Sequence, residues 1–416
     1  MRHSGCSPRL DSVHELTVFG TIVLITAAGL TFALLASKLS VRLRVPGPGI
    51  FVVASALAAW LWPGLQVLSV RSVERVGVVA LIVILFDGGM QVGWSRFRAA
   101  AVPVLSLGFL GTFATAAVLA GAAHWLLDFS WTASGLLGAA LAPTDPAVMF
   151  SVLGNREVGG RTGTILEAES GVNDPVGISL LIGLLELARH ADASFWTVVR
   201  EFALQMAVGG VIGIVMGLLL VRALRFITLP SDALYPLRTL AFAGVIYGVA
   251  AAAHGSGFLA VFVAGILLGD EPVPHRKAIV RFQTSLASLA EIIVFAALGL
   301  IVQVSHLGSG RLWVDGAVLA LVLALVARPL VVGPLLLPAR LAWGERLFVM
   351  WGGLKGAVPI LLGTLVLLDN VTDGRRIFDV VFIVVAFSVL VQGTSLPWAA
   401  GRLGVGFSPR AAGDSR

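Results

Sequence analysis

The spacing of its apolar runs limits what this chain can fold into more than any other feature. Roughly thirteen segments, most of about 17–28 residues and so long enough to cross a hydrocarbon core as helices, follow one another along the sequence. They lie at 17–37, 49–66, 76–94, 101–126, 132–153, 161–187, 199–221, 236–253, 256–269, 282–304, 313–337, 346–368 and 378–400, the ninth being short. Inside lipid every backbone N–H and C=O must be satisfied within its own segment, so the spacing predicts an all-α integral membrane protein. The residue content agrees: 57% is hydrophobic and only 12% charged, against about 25% charged in a soluble domain.

The polar joints are too short to hold a soluble domain. The organisation read from the sequence is a polar N-terminal segment (1–16), a membrane domain (17–400) and a short basic tail (401–416). The apolar run after residue 16 is too long for a signal-peptide core, so no cleaved leader is expected. The formal net charge of +6 could point to nucleic acid, but its distribution argues otherwise. Lys and Arg gather about two to one on the joints of one side. Lys38, Arg42 and Arg44, then Arg222 and Arg225, then Arg276, Lys277 and Arg281 carry much of that bias. The pattern predicts a multi-pass protein with its N-terminus outside, its C-terminus cytoplasmic and no nucleic-acid partner. The single cysteine, Cys6, excludes an intrachain disulfide, and no His/Cys cluster has metal-ligand spacing, so no cofactor is expected.

An internal repeat is visible at an offset of about 210 residues. Asp145-Pro146-Ala147-Val148 falls on Lys355-Gly356-Ala357-Val358, and Gly89 falls on Gly299. Repeats at about 17–188 and 235–400, joined by a linker helix at about 199–221, then have opposite orientation, a recurring transporter design. The fifth and twelfth segments are broken, by Pro143 and Pro146 in one and by Gly352, Gly353, Gly356 and Pro359 in the other. Irregular backbone at this depth survives only where protein or a wet cavity satisfies it. Two broken helices crossing near the midplane bring half-helix ends together. An acid suits the positive N-terminal ends and a base the negative C-terminal ends, and Asp145 and Lys355 have the required signs.

Ionisable groups at membrane depth are costly and mark ion or proton pathways. On the sixth segment Glu169, Ser170, Asn173 and Asp174 fall within an arc of about 140°. Asp174 is the candidate cation ligand, with Ser170, Asn173 and Thr144 as neutral oxygens of the kind a hard cation takes. Glu169 needs a partner, and Arg328, in a later segment, is the obvious one; a structural role is favoured for that pair. Asp145 reads either as part of the ion site or as a neutraliser of helix ends. Asp87 and Glu291 read equally as cavity lining or as structural pairs, and Glu167 as a structural contact. His124, His254 and the ten tryptophans read as interfacial.

These motifs, in this order, resemble those of the NhaP-type monovalent cation:proton antiporters, relatives of the animal sodium/proton exchangers. Pro143-Thr144-Asp145-Pro146 is similar to the family's broken-helix motif, and Glu169-Ser170-Gly171-Val172-Asn173-Asp174-Pro175 to its signature ending in Asn-Asp. Arg328-Pro329 and Gly353-Leu354-Lys355-Gly356-Ala357-Val358-Pro359 resemble two later motifs. Leu85-Phe86-Asp87-Gly88-Gly89 and Pro146-Ala147-Val148-Met149-Phe150 lean toward the potassium/proton, cell-volume-regulation branch. The resemblance implies a thirteen-helix fold, a homodimer, and a core domain moving against a dimerisation domain. It implies residence in a bacterial-type plasma (inner) membrane. It further implies that Asp174 takes a cation and a proton alternately, with Asp145, Ser170, Asn173 and Thr144 around it, and that Glu169 and Arg328 link core helices. Two departures stand out. Lys355 occupies a position where family members often have Arg, which keeps the charge but not the planar fork. The volume-regulation branch often carries a cytosolic extension, and the sequence ends at Arg416, which weakens the potassium assignment.

The activity expected is therefore electroneutral exchange of one monovalent cation (Na+, K+ or Li+) for one H+, serving pH homeostasis. Asn173 beside Asp174 cannot carry a second proton. Another inverted-repeat solute transporter is the main alternative. An intramembrane aspartyl protease is disfavoured, because Leu267-Leu268-Gly269-Asp270 lacks the Gly-x-Gly-Asp element and Phe86-Asp87 lacks the Tyr-Asp element. A gated channel is disfavoured by the alternating-access design.

Overall fold

The structure, a computed structural model, describes residues 45–65, 68–153, 156–189, 194–307 and 310–409, with single helical positions between 20 and 35. Most of the first expected span, the N-terminal segment and the end of the tail lie outside the described residues.

The chain runs through α1 (Gly47–Leu61), α2 (Val70–Ala99), α3 (Ala101–Leu127), α4 (Trp131–Leu141), α5 (Pro146–Leu153), α6 (Gly160–Arg189) and α7 (Phe195–Phe226). It continues through α8 (Leu234–Ala252), α9 (Gly257–Gly269), α10 (Arg276–Leu300), α11 (Leu312–Leu335), α12 (Trp343–Gly352), α13 (Ala357–Leu368) and α14 (Gly374–Leu403). Among the described residues nine helical stretches are long and apolar enough to span a bilayer, and α1, α4 and α9 are shorter apolar helices. Together they account for the second to the thirteenth expected spans. Among the described residues one pair of three-residue strands accompanies the helices, β1 (Arg156–Val158) antiparallel to β2 (Phe407–Pro409), which ties the exit of α5 to the exit of α14.

Helix starts follow from capping chemistry. The hydroxyls of Ser69, Ser130 and Ser256 accept from the backbone N–H groups of Ser72, Ala133 and Leu259, opening α2, α4 and α9. Near its end α2 kinks at Gly93, whose φ of +66° suits glycine. There the Asp270 carboxylate, just beyond α9, accepts from Ser95 N at 2.6 Å and fills the space a Gly93 side chain would need. Wider π-type turns interrupt α3 (Ser106–Gly111), α11 (Leu323–Ala327) and α14 (Ser388–Gly393), a feature often found near functional sites.

Burial differs widely between the helices. The apolar stretches of α6, the α12/α13 pair and α14 are 72%, 78% and 72% buried, whereas those of α7 and α8 are each 33% buried. One large core therefore gathers α3, α4, α6, α13 and α14 around Leu136, Val176, Leu181, Val366, Ile377 and Val384. A second cluster joins α7, α8 and α9 to Phe86 and Met90 of α2. Within it Gly209, Gly213 and Gly217 of α7 form a smooth stripe, and a side chain at any of them would run into Ser256, Ala260 or Ala264. That is small-residue packing of membrane helices, where close backbone approach replaces hydrophobic drive.

Candidate ion site at two crossing helix breaks

The breaks follow from residue chemistry. Pro143 and Pro146 lack the N–H groups that would carry α4 into α5. Gly353 and Gly356 leave helical geometry between α12 and α13, Gly356 at φ −128°, ψ −139°. The two unwound segments meet, and Asp145 N donates to Leu354 O at 2.8 Å. Lys355 is fully buried. Its Nζ donates to Ala142 O and Pro143 O, both at 2.8 Å, at the end of α4 where carbonyls lack intrahelical partners. Asp145 Oδ2 accepts from Ala357 N at 3.3 Å, at the start of α13. Each half-helix end thus faces a side chain of opposite sign. The Lys355 backbone N–H donates to Ser388 Oγ at 2.9 Å, in the wider turn of α14.

Beside this crossing α6 presents Glu169, Ser170, Asn173 and Asp174, all buried. Thr144 binds two of them. Its hydroxyl lies 2.9 Å from Ser170 Oγ and accepts from Asn173 Nδ2 at 2.8 Å, while its N–H donates to Asn173 Oδ1 at 3.3 Å. Asp174 is 7% exposed, and its Oδ1 has no hydrogen-bond partner. It joins none of the ion pairs among the described residues. Asp145 and Lys355 stand within electrostatic reach of it. Pro175, the next residue, removes one backbone donor from α6.

Glu169 is placed differently. Its Oε1 lies 2.8 Å from Arg328 Nη1, and both side chains are 4% exposed. Arg328 also donates to Val349 O at 2.9 Å and Met350 O at 3.3 Å, so one guanidinium holds α6 and closes the end of α12. The pair links three helices, and each guanidinium nitrogen makes a hydrogen bond, while Glu169 Oε2 has no hydrogen-bond partner.

Residues 13–401 match the family model of the transmembrane sodium/hydrogen exchangers. The chain belongs to this family. It is similar to a K+/H+ antiporter NhaP of Alkalimonas amylolytica, with 35% identity over 90% of this chain and 65% of that protein. A K+/H+ antiporter NhaP2 of Shewanella sp. (strain ANA-3) is 33% identical over 94% of this chain and 67% of its own length. The chain thus spans about two thirds of these relatives. A Na+/H+ antiporter NhaH of Halobacillus aidingensis is 29% identical over 78% of this chain and 82% of that protein. In fold the chain resembles the sodium proton antiporter MjNhaP1 of Methanocaldococcus jannaschii, with a TM-score of 0.76 at 23% identity over 92% of this chain and 98% of that one.

The remaining sequence-selected residues fall outside the cluster or at its edge. Asp87 joins α2 to α10, accepting from Gln91 Nε2 at 2.5 Å and from Thr284 Oγ1 at 3.0 Å. Glu291 of α10 has a buried Oε1 without a hydrogen-bond partner and lies within electrostatic reach of Asp145. Glu167 stands 3.7 Å from Arg96. His124 Nδ1 lies 2.7 Å from Phe129 O, and the ring stacks on Trp131 at 4.0 Å. Three features lie beyond the sequence reading. Ser388 holds the Lys355 backbone. Gly353 and Gly356 do more than break a helix: a side chain on the first would strike the Arg328 guanidinium, and on the second the Asp145 carboxylate. Two ion pairs, Arg376–Asp315 at 2.8 Å and Arg375–Asp379 at 3.3 Å, close the ends of α11 and α14. The i,i+4 spacing of Arg375 and Asp379 is the one available signal for them.

Proposed function

We propose that this chain is a secondary active antiporter exchanging a monovalent cation for H+, with Asp174 as the acid that both contest. The observation carrying this reading is the unpartnered carboxylate oxygen of Asp174, buried beside the neutral oxygens of Thr144, Ser170 and Asn173. A buried carboxylate without a basic clamp is open to a proton or a cation, and hydroxyl and amide oxygens are the ligands a hard cation takes. Asp145 adds negative charge nearby while staying bound to the start of α13. Lys355 neutralises the end of α4 and is a permanent part of the scaffold. With Asn173 unable to hold a proton, one acid titrates per cycle, and exchange is electroneutral, one cation for one H+.

The breaks at 142–145 and 353–356 support two inverted repeats, at about 17–188 and 235–400, with α7 as the linker. The charge bias of the joints supports a plasma (inner) membrane protein with the N-terminus outside and the C-terminus in the cytoplasm. The separation into a buried core and a lipid-facing α7/α8 layer supports a core that moves against a second, dimerising unit. The more similar relatives bear K+/H+ names, so K+ is the cation to test first, with Na+ and Li+ beside it. The test is cation-driven dequenching of a pH dye in proteoliposomes. Wild type responds to a monovalent cation at pH 6–9, with a rate insensitive to a potassium–valinomycin voltage clamp, and Asp174→Ala gives no response. Wild-type activity in Asp174→Ala would remove Asp174 from its role, and persistent voltage dependence would contradict the one-for-one stoichiometry.

A further inference from the structure

An open cavity of about 730 Å³ lies where α10 has ended and α11 and α14 begin, on the side of the membrane that the charge bias places outside. That is the size of a small-ligand pocket. Asp379 of α14 belongs to its lining and is 2% exposed. Arg375, one turn earlier and also in the lining, donates from Nε to Asp379 Oδ2 at 3.3 Å. The contact uses one atom of each group. Asp379 Oδ1 and Arg375 Nη2 are both buried, and neither has a hydrogen-bond partner. Buried polar atoms are normally paired, so an open acceptor and an open donor in one cavity lining call for a ligand that supplies both.

The other charges narrow the ligand. Arg376 is committed to the scaffold: it donates to Asp315 Oδ2 and to Leu127 O, both at 2.8 Å, and lies 4.0 Å over the Phe129 ring. His306 stands within electrostatic reach of Asp379, and the exposed Arg311 and Asp373 stand at the rim. Three arginines and three aspartates therefore line one space, which favours a zwitterion over a simple anion or cation. Depth gives its source. Trp125 at the end of α3, Trp131 at the start of α4 and Trp313 in the first turn of α11 are 72%, 57% and 52% exposed. Exposed tryptophans at helix ends sit at headgroup level. Arg376 joins the end of α3 to the starts of α11 and α14, so the cavity opens at that level. Asp379 is five residues into α14, about 8 Å of rise, which matches a headgroup layer of about 5–8 Å.

We infer that this cavity is a headgroup site for an aminophospholipid of the outer leaflet: Arg375 Nη2 donates to a phosphate oxygen, with Arg311 beside it, and the primary ammonium donates to Asp379 Oδ1. Both contacts are charge-assisted hydrogen bonds, the stronger kind. A choline headgroup carries the same charges but has no N–H to give Asp379, and a glycerol headgroup has no cation. The site therefore distinguishes ethanolamine from choline by hydrogen bonding and not by charge.

The test uses the full chain purified in detergent, with phosphatidylethanolamine or phosphatidylcholine of identical acyl chains added, and reads the thermal midpoint. A ligand that binds only the folded state raises it. In wild type, phosphatidylethanolamine should raise the midpoint by about 2 °C more than phosphatidylcholine does. Asp379→Asn keeps the shape of the side chain and removes its charge, and the difference between the two lipids should vanish. Arg311→Gln, at the exposed rim, should shrink the difference with the fold intact. Each variant is read as one lipid against the other, so a lower midpoint of the variant itself does not blur the result. Equal shifts from both lipids in wild type would overturn the inference, as would an undiminished difference in Asp379→Asn or in Arg311→Gln. A full shift from water-soluble phosphoethanolamine would overturn the lipid as source. None of these readings involves exchange, so the role of Asp174 is tested separately.

Discussion

Glu169 and Asp174 sit five residues apart on one helix, at 3% and 7% exposure, yet their surroundings differ in kind. Glu169 has Arg328 at 2.8 Å, and that arginine also holds the last carbonyls of α12. Each acid leaves one oxygen without a hydrogen-bond partner, but Asp174 has no guanidinium or ammonium paired with it among the described residues. Burial alone therefore does not make an acid a working group. In the function proposed above, the carboxylate held by a guanidinium is the fastener and the one without a basic partner is the carrier. The same helix supplies both because their positions turn them toward different neighbours: α11 and α12 on one side, the crossing of the breaks on the other.

The sharpest way to break this contrast is at the fastener. Removing one member of a buried pair leaves an uncompensated charge and costs about 3–5 kcal/mol. Arg328→Ala should therefore lose most folded protein, read as yield and thermal midpoint in detergent, while Glu169→Leu with Arg328→Met should regain much of it. Equal stability of wild type and Arg328→Ala would mean that the pair does not fasten α6 to α12. A smaller loss is expected at the crossing. Gly356→Ala places a methyl group on the Asp145 carboxylate and should cut the exchange rate tenfold or more, with a modest fall in thermal midpoint. Normal exchange there would show that Asp145 need not stay against α13. The smallest effect belongs to the neutral oxygens. Thr144→Ala removes a hydroxyl that touches both Ser170 and Asn173, with a net contribution of about 1 kcal/mol. Cation KM should rise several-fold with the fold intact, and an unchanged KM would take Thr144 out of the cation's shell.

Much of the architecture was legible in the sequence because the forces that dictate it are local. Segment length and hydropathy mark spans, prolines and glycines mark breaks, and a charge inside an apolar run demands an explanation. Glu169 and Arg328 could be matched because each needed an opposite charge at depth. What stayed hidden was set by contacts between distant segments. Gly353 and Gly356 read as helix breakers, although their lack of side chains also makes room for Arg328 and Asp145. Ser388 gives no local sign that it will meet the Lys355 backbone, and the wider turns in α3, α11 and α14 have no sequence marker of their own. A cavity beside α6 was hidden for the same reason: Ser179, Glu186 and Glu201 lie on two helices, and only the packing of α6 against α7 brings them to one lining.

The most direct measurement of the central claim is proton release on cation binding, followed with a pH dye on purified protein in weakly buffered detergent solution. Adding K+ or Na+ to wild type should release up to one proton per chain. Asp174→Asn should release none. Undiminished proton release from Asp174→Asn would contradict the account, since the cation and the proton would then be meeting at some other group.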